Sequence, residues 1–160
     1  MRELLTVAGK LTPLSSKTHI TYQLYIPEGM NALHIEFEYG PKTLDDREAS
    51  KQMIEEAIRK YVNPALQSVY LEHWEKFHPL QNLLTLSVDD PDGFRGSAHR
   101  HPNHQQHILS LHESSPGFFS GPIQNGVWKV TISVHCIVTQ ECEYQLRIRE
   151  GEVSHEMASV

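Results

Sequence analysis

The sequence predicts a mainly β protein: an antiparallel β-sandwich, jelly-roll-like, with a helical segment inserted around residues 45–77. Three observations predict it. Apolar and polar residues alternate in several runs toward both ends of the chain, Gly- and Pro-rich turns separate the runs, and the period lengthens to three-to-four only in the middle. Short strands with one apolar face need two packed sheets to bury it. The 160 residues suit one domain spanning 1–160. A chain of this length buries roughly 70 % of its unfolded surface, enough for a core without disulfides.

The elements follow in order. Ile20, Tyr22, Leu24 and Ile26 line one face of a strand that Pro27-Glu28-Gly29 ends, and Leu33, Ile35, Phe37 and Tyr39 repeat the pattern up to Gly40-Pro41; these two strands are expected to pair. From Asp45 to Val62 the apolar residues Met53, Ile54, Ala57, Ile58, Tyr61 and Val62 fall at helical spacing, with Asp45 and Glu48 as a capping box and Pro64 as a stop. Leu66, Val69, Tyr70, Trp74 and Phe77 continue that stripe. Leu84, Leu86 and Val88 lead into the turn Asp89-Asp90-Pro91-Asp92-Gly93, and His107, Leu109 and Leu111 alternate more weakly. The longest strand carries Trp128, Val130, Ile132, Val134, Cys136 and Val138, and is expected to form a hairpin through Thr139-Gln140-Glu141 with Cys142, Tyr144, Leu146 and Ile148.

Composition narrows the function classes. Fourteen Lys and Arg against 20 Asp and Glu give a formal charge of −6, and the longest basic cluster is Arg147-Ile148-Arg149. Nucleic acids and anionic membranes recruit clustered cations, so neither is an expected partner. The first ten residues carry too short an apolar stretch for a secretory signal, no apolar run reaches membrane-span length, and Cys136 and Cys142 read as buried free thiols; together these point to the cytoplasm. A disulfide between the two cysteines is the alternative.

The unusual feature is 11 His, five of which, His99, His101, His104, His107 and His112, fall in fourteen positions. His101-x-x-His104-x-x-His107 supplies three imidazoles that could hold Zn²⁺ or another divalent metal. A solvated polar loop leading into a strand explains the same residues, since neither Cys is near and only Glu113 offers a local carboxylate. The expectation is accordingly no cofactor, with a metal site on the 99–112 loop as the alternative. Asp89, Asp90 and Asp92 beside Gly93 could ligate Ca²⁺, but Asp-Pro-Asp-Gly is also what a tight turn requires, and Asp90 meeting Arg95 would hold its shape without a ligand. Gly-x-Ser-x-Gly, Walker-type, Gly-x-Gly-x-x-Gly and His-Glu-x-x-His motifs are all absent. Trp74, Phe77, Phe118 and Phe119 are candidates for a sugar-stacking or partner-binding platform, or for packing.

The run Asp90-Pro91-Asp92-Gly93-Phe94-Arg95-Gly96, followed by Pro116-Gly117-Phe118, Gly121-Pro122, Gly126-Val127-Trp128 and Tyr144-Gln145-Leu146-Arg147-Ile148, resembles a known family. It is similar to the N-terminal β-sandwich domain that accompanies PHP-type metal-dependent hydrolases of the carbaryl-hydrolase-like group, over about Thr18 to Ile148. In that family a metal-binding module follows, opening on an Asp-Leu-His-x-His type motif. These 160 residues contain no such motif, and His99-x-His101 precedes the last two strands, so the resemblance implies no catalytic residue here. The expected function is a non-catalytic interaction or ligand-binding module without the catalytic PHP module. Its partner would be a protein, a separately encoded hydrolase included, or a small-molecule or carbohydrate ligand, and a homodimer stays open. The alternative is a small metal-dependent hydrolase or metal-binding protein using the His-rich loop 99–112, with Glu113 as base.

Overall fold

A computed structural model describes residues 2–99 and 101–152; Met1, Arg100 and 153–160, parts of the expected 1–160 domain, lie outside the described residues. In chain order the elements are β1 (Glu3–Leu11), β2 (Thr18–Ile26), β3 (Ala32–Gly40), β4 (Thr43–Leu44), α1 (Arg47–Tyr61), α2 (Gln67–Glu72), β5 (Leu80–Gln81), β6 (Leu83–Asp90), β7 (Gly93–Ala98), β8 (His104–Ser110), β9 (Gly126–Cys136) and β10 (Cys142–Glu150). One four-stranded sheet has the order β1-β10-β3-β8, the other β2-β9-β6-β7, and β4 pairs with β5 in a separate short ribbon.

With that ribbon set aside, the pairings β1·β10, β2·β9, β3·β8 and β6·β7 are nested, all antiparallel. They describe one long two-stranded ribbon, folded at the β6–β7 turn and rolled so that successive quarters land in alternate sheets. This is the jelly-roll arrangement. The alternating residues of each strand fill the space between the sheets: Trp128, Val130, Ile132, Val134, Leu146 and Ile148 are at most 1 % exposed, and Leu33, Ile35, Phe37, Leu84, Leu86 and Val88 are buried with them.

Two expected pairings are not formed. β9 bonds to β2 and β6, whereas β10 bonds to β1 and β3, so the strands on either side of Thr139 belong to different sheets. β2 and β3 are separated in the same way. Alternation states which face of a strand is buried, not which neighbour receives its hydrogen bonds. The chain between β9 and β10 crosses the sandwich because buried Asn82 seizes it. The Asn82 Oδ1 accepts from Val138 N at 2.7 Å, and its Nδ2 donates to Thr139 Oγ1 at 2.8 Å and to Pro41 O at 2.9 Å. Cys136 and Cys142 are therefore free thiols, Cys142 buried but Cys136 exposed, where both were expected inside.

β1 was not expected as a strand, because Gly9 interrupts its apolar positions. The gap is filled from the partner strand: a Cβ on Gly9 would lie 2.5 Å from the Tyr144 ring. The Tyr144 hydroxyl in turn bonds that of Tyr22 at 2.5 Å, joining the two sheets on the β1/β2 side.

The inserted segment lies between β3 and β6 and has its own small core of Ile54, Ile58 and Trp74. Its helix starts one residue later than expected: Asp46 accepts from Ala49 N at 3.1 Å as the cap, and Asp45 accepts from the Thr43 hydroxyl at 2.7 Å. Met53 and Tyr61, expected on the buried face, are exposed. The stripe of residues 66–77 breaks into a six-residue helix between 3-10 turns, and of its apolar residues Trp74 alone is buried.

Two predictions follow from this packing. Ile132→Ala, deleting a fully buried side chain, should lower unfolding free energy by about 2–5 kcal/mol in urea denaturation. Burial, reinforced by the bond to Tyr22, raises the Tyr144 phenol above its ordinary value. The native state thus holds the proton more tightly than the unfolded chain, so this contribution is whole below about pH 10, the unfolded value, and is lost as pH rises beyond it. Absorbance titration at 295 nm should show one tyrosine ionising after the others, and Tyr144→Phe should remove that late component.

Candidate functional site

The His-rich segment does not converge. His101 is exposed on the β7–β8 connection, and His104 opens β8 facing solvent opposite Glu38. His107, three residues on, faces inward, 3 % exposed, with its ring 5.0 Å from that of Phe118 and Nε2 bonded to Gln105 Oε1 at 2.9 Å. An odd spacing along a strand places two side chains on opposite faces, so β8 directs His104 and His107 away from each other. Among the described residues no group of three His, Cys, Asp or Glu side chains is placed to hold a metal ion. Glu113 sits in an exposed turn whose carbonyl accepts from the Ser110 hydroxyl at 2.5 Å.

The acidic turn is structural. Asp90 Oδ1 accepts from Asp92 N at 2.8 Å and Oδ2 accepts from Arg95 Nη1 at 3.2 Å. A bulge after Val88 makes Arg95 the extra residue of β7 and turns its side chain out of the strand's alternation. The guanidinium then donates Nε to Phe119 O at 2.7 Å, Nη1 to Pro122 O at 2.9 Å and Nη2 to Gly121 O at 2.7 Å, and lies 5.5 Å from the Trp128 ring centroid. Residues 111–125 are thereby held as a strap across the edge strands of both sheets: Ser97 N donates to Gly117 O at 3.0 Å, and Ser115 N to Ile108 O at 2.9 Å. Gly96 permits the approach, since at its φ of +144° a side chain would run into the Gly117 carbonyl and the Phe118 backbone. Asp90→Ala should therefore destabilise the fold by about 3–5 kcal/mol in chemical denaturation, because it leaves a buried guanidinium without its counter-ion.

The aromatic candidates separate. Trp74 and Phe118 are buried, Phe77 stacks on Tyr70 in the insert with ring centroids 6.4 Å apart, and Phe119 on the strap meets Phe94 edge-on at 6.1 Å. Phe94 was not among the expected platform residues: simple alternation would set it inward with Gly96 and Ala98, and the bulge at Arg95 turns it outward.

The outer face of the first sheet carries a groove of about 730 Å³. Two cross-strand rows build it, Ala8–Gln145–Glu38–His104 and Lys10–Glu143–Gly40. Ala8 and Gly40 leave its floor low, and the longer polar side chains form its walls. Asn103, donating Nδ2 to Tyr39 O at 2.8 Å, closes one end. Lys10 Nζ lies 3.5 Å from Glu141 and 3.9 Å from Glu143, with all three side chains more than half exposed. Such pairs contribute little to stability, so these groups can turn to a ligand at small cost. With two carboxylates against one ammonium the groove is slightly acidic, suited to hydroxyl and amine groups rather than phosphate. Of the three expected metal-binding histidines, His104 alone lines it. Sequence spacing could not reveal the groove, because its residues come from four strands far apart in the chain. Burial raises both thiols, Cys136 and Cys142, so neither has the depressed value of a reactive thiolate.

No family model matches the chain. No curated protein matches it either. Six solved chains match, among them a protein from Sulfurospirillum deleyianum that is 9 % identical, with a TM-score of 0.32 over 92 % of this chain and 99 % of that one. No helix among the described residues is long and apolar enough to cross a membrane. Fold and site together define a jelly-roll β-sandwich with a polar groove on one outer sheet face.

Proposed function

We propose that the protein is a non-catalytic binding module that takes a small hydroxylated or amine-bearing molecule in the groove on the outer face of the β1-β10-β3-β8 sheet. The observation that supports this is the groove itself, which gathers Lys10, Glu38, Glu143, Gln145 and His104 from four strands around a floor of small residues. Its volume lies in the usual range for ligand sites, roughly 300–1,000 Å³. The module would act in the cytoplasm, where two free thiols stay reduced. Its partner would be a PHP-type hydrolase, a role that rests on the sequence landmarks alone.

The test is thermal unfolding against monosaccharides, polyols, amino acids and polyamines. A true ligand at a hundredfold excess over Kd adds about 2.7 kcal/mol and raises Tm by several degrees. Glu38→Gln with Glu143→Gln should abolish that shift without lowering the unliganded Tm. A shift that survives the double substitution would overturn the site. Turnover of p-nitrophenyl phosphate or acetate that is lost in His104→Ala would overturn the non-catalytic reading.

A further inference from the structure

The second sheet carries a different surface. A cleft of about 370 Å³ lies between the β6–β7 turn, residues 89–93 with the carboxylates of Asp89, Asp90 and Asp92, and Val127 and Lys129 of β9. Register places Lys129, Asp89 and Phe94 side by side across three strands, all on the outer face. Phe94 stands at one rim with Phe119 against it, and Tyr25, cross-strand partner of Val127, stands at the other. Phe94, Phe119 and Tyr25 are 60 %, 60 % and 63 % exposed, unusual for rings near a well-packed wall.

We propose that this cleft is a carbohydrate-binding subsite, in which a pyranose ring stacks against the Phe94–Phe119 pair while its hydroxyls bond Asp89 and Lys129. The chemistry of the walls selects that ligand. Three carboxylates, Asp89, Asp90 and Asp92, face one ammonium, Lys129; Arg95 neutralises Asp90, so the walls keep an excess of carboxylate that accepts hydroxyl donors and disfavours a polyanion. Aromatic faces take the apolar C–H face of a sugar, the one part of such a ligand that gains from leaving water. The cleft is too small for a protein partner, since a standard interface uses about 20–30 residues on each side.

The rings are also held ready. Phe119 donates its N–H to Arg95 O at 2.9 Å and accepts from Arg95 Nε through its carbonyl at 2.7 Å, so the buried guanidinium fixes the backbone that carries one stacking ring. Little conformational freedom is then lost on binding. The subsite shares no residue with the groove on the first sheet, and stands or falls separately from it.

The experiment is a ¹⁵N-HSQC titration of the full chain with cellohexaose, xylohexaose, maltohexaose and chitohexaose. At least one sugar should give saturable shifts centred on residues 89–94 and 119–129. Phe94→Ala and Phe119→Ala should each weaken that sugar's affinity about tenfold or more at unchanged Tm, since both rings are exposed. Glu38→Gln with Glu143→Gln should leave the affinity as it was. Absence of saturable shifts with all four sugars, shifts confined to the first-sheet groove, or full affinity in both Phe variants would overturn the proposal.

Discussion

A buried guanidinium is stable only when hydrogen-bond acceptors replace the water it loses, and the wall of this sandwich opposite β1 and β2 is built around supplying them to Arg95. One carboxylate and three backbone carbonyls surround it. Charge-assisted hydrogen bonds of this kind are worth about 1.5–3 kcal/mol each, against a total stability of about 5–15 kcal/mol for a whole domain. The acceptors come from the β6–β7 turn and from the strap, so the ion pair welds the tip of the rolled ribbon to the segment that covers the edges of both sheets. Edge strands β7 and β8 would otherwise present unpaired backbone to solvent. The strap satisfies them, and the glycines at 96 and 117 let it lie close enough to do so.

Of the landmark residues noted in the sequence, Asp90, Arg95, Gly96, Gly117, Gly121 and Trp128 belong to this welded wall, whereas Tyr144 to Ile148 lie on β10. The contacts of those six close the jelly roll at the strap. The groove and the tip cleft lie on either outer face of the sandwich; the cleft shares Asp90 with this wall, and the groove shares none of its residues.

A second polar junction places the insert. Asn82 binds the crossing between β9 and β10 through its side chain, and its carbonyl accepts from Lys42 Nζ at 2.8 Å where the chain leaves β3. The two necks of the inserted segment are thus tied to the sandwich by hydrogen bonds, while its apolar residues form a separate small core around Trp74. Arg47 lies 4.8 Å from that ring and pairs with Glu75 at 2.6 Å, holding the helix to the turn that carries the Trp. Among the described residues, half of the large apolar side chains that stay exposed, Tyr61, Val69 and Phe77 included, belong to this insert, as expected of a unit too short to bury its own surface.

What the sequence by itself determined was everything with a local cause. The period-two runs named the inward residues of β2, β3, β6, β9 and β10. Pro and Gly set the β6–β7 turn, and Asp90 and Arg95, five residues apart, could be matched as an ion pair. The change of period placed α1. The tertiary structure alone decided which strands became neighbours, because alternation is satisfied equally by pairing in one sheet and by crossing to the other; Asn82, 57 residues from Thr139, made the choice at the last connection. β1 needed the Tyr144 ring to complete a face that Gly9 left open. The histidines clustered in sequence and diverged in space, since a strand sends residues three apart to opposite sides. The groove is invisible along the chain for the converse reason: Lys10, Glu38, His104 and Glu143 meet only when the rolled ribbon lays their strands side by side, whereas residues 89–93 of the cleft are the turn that the sequence already marks, and only Val127 and Lys129 are brought to it by the fold.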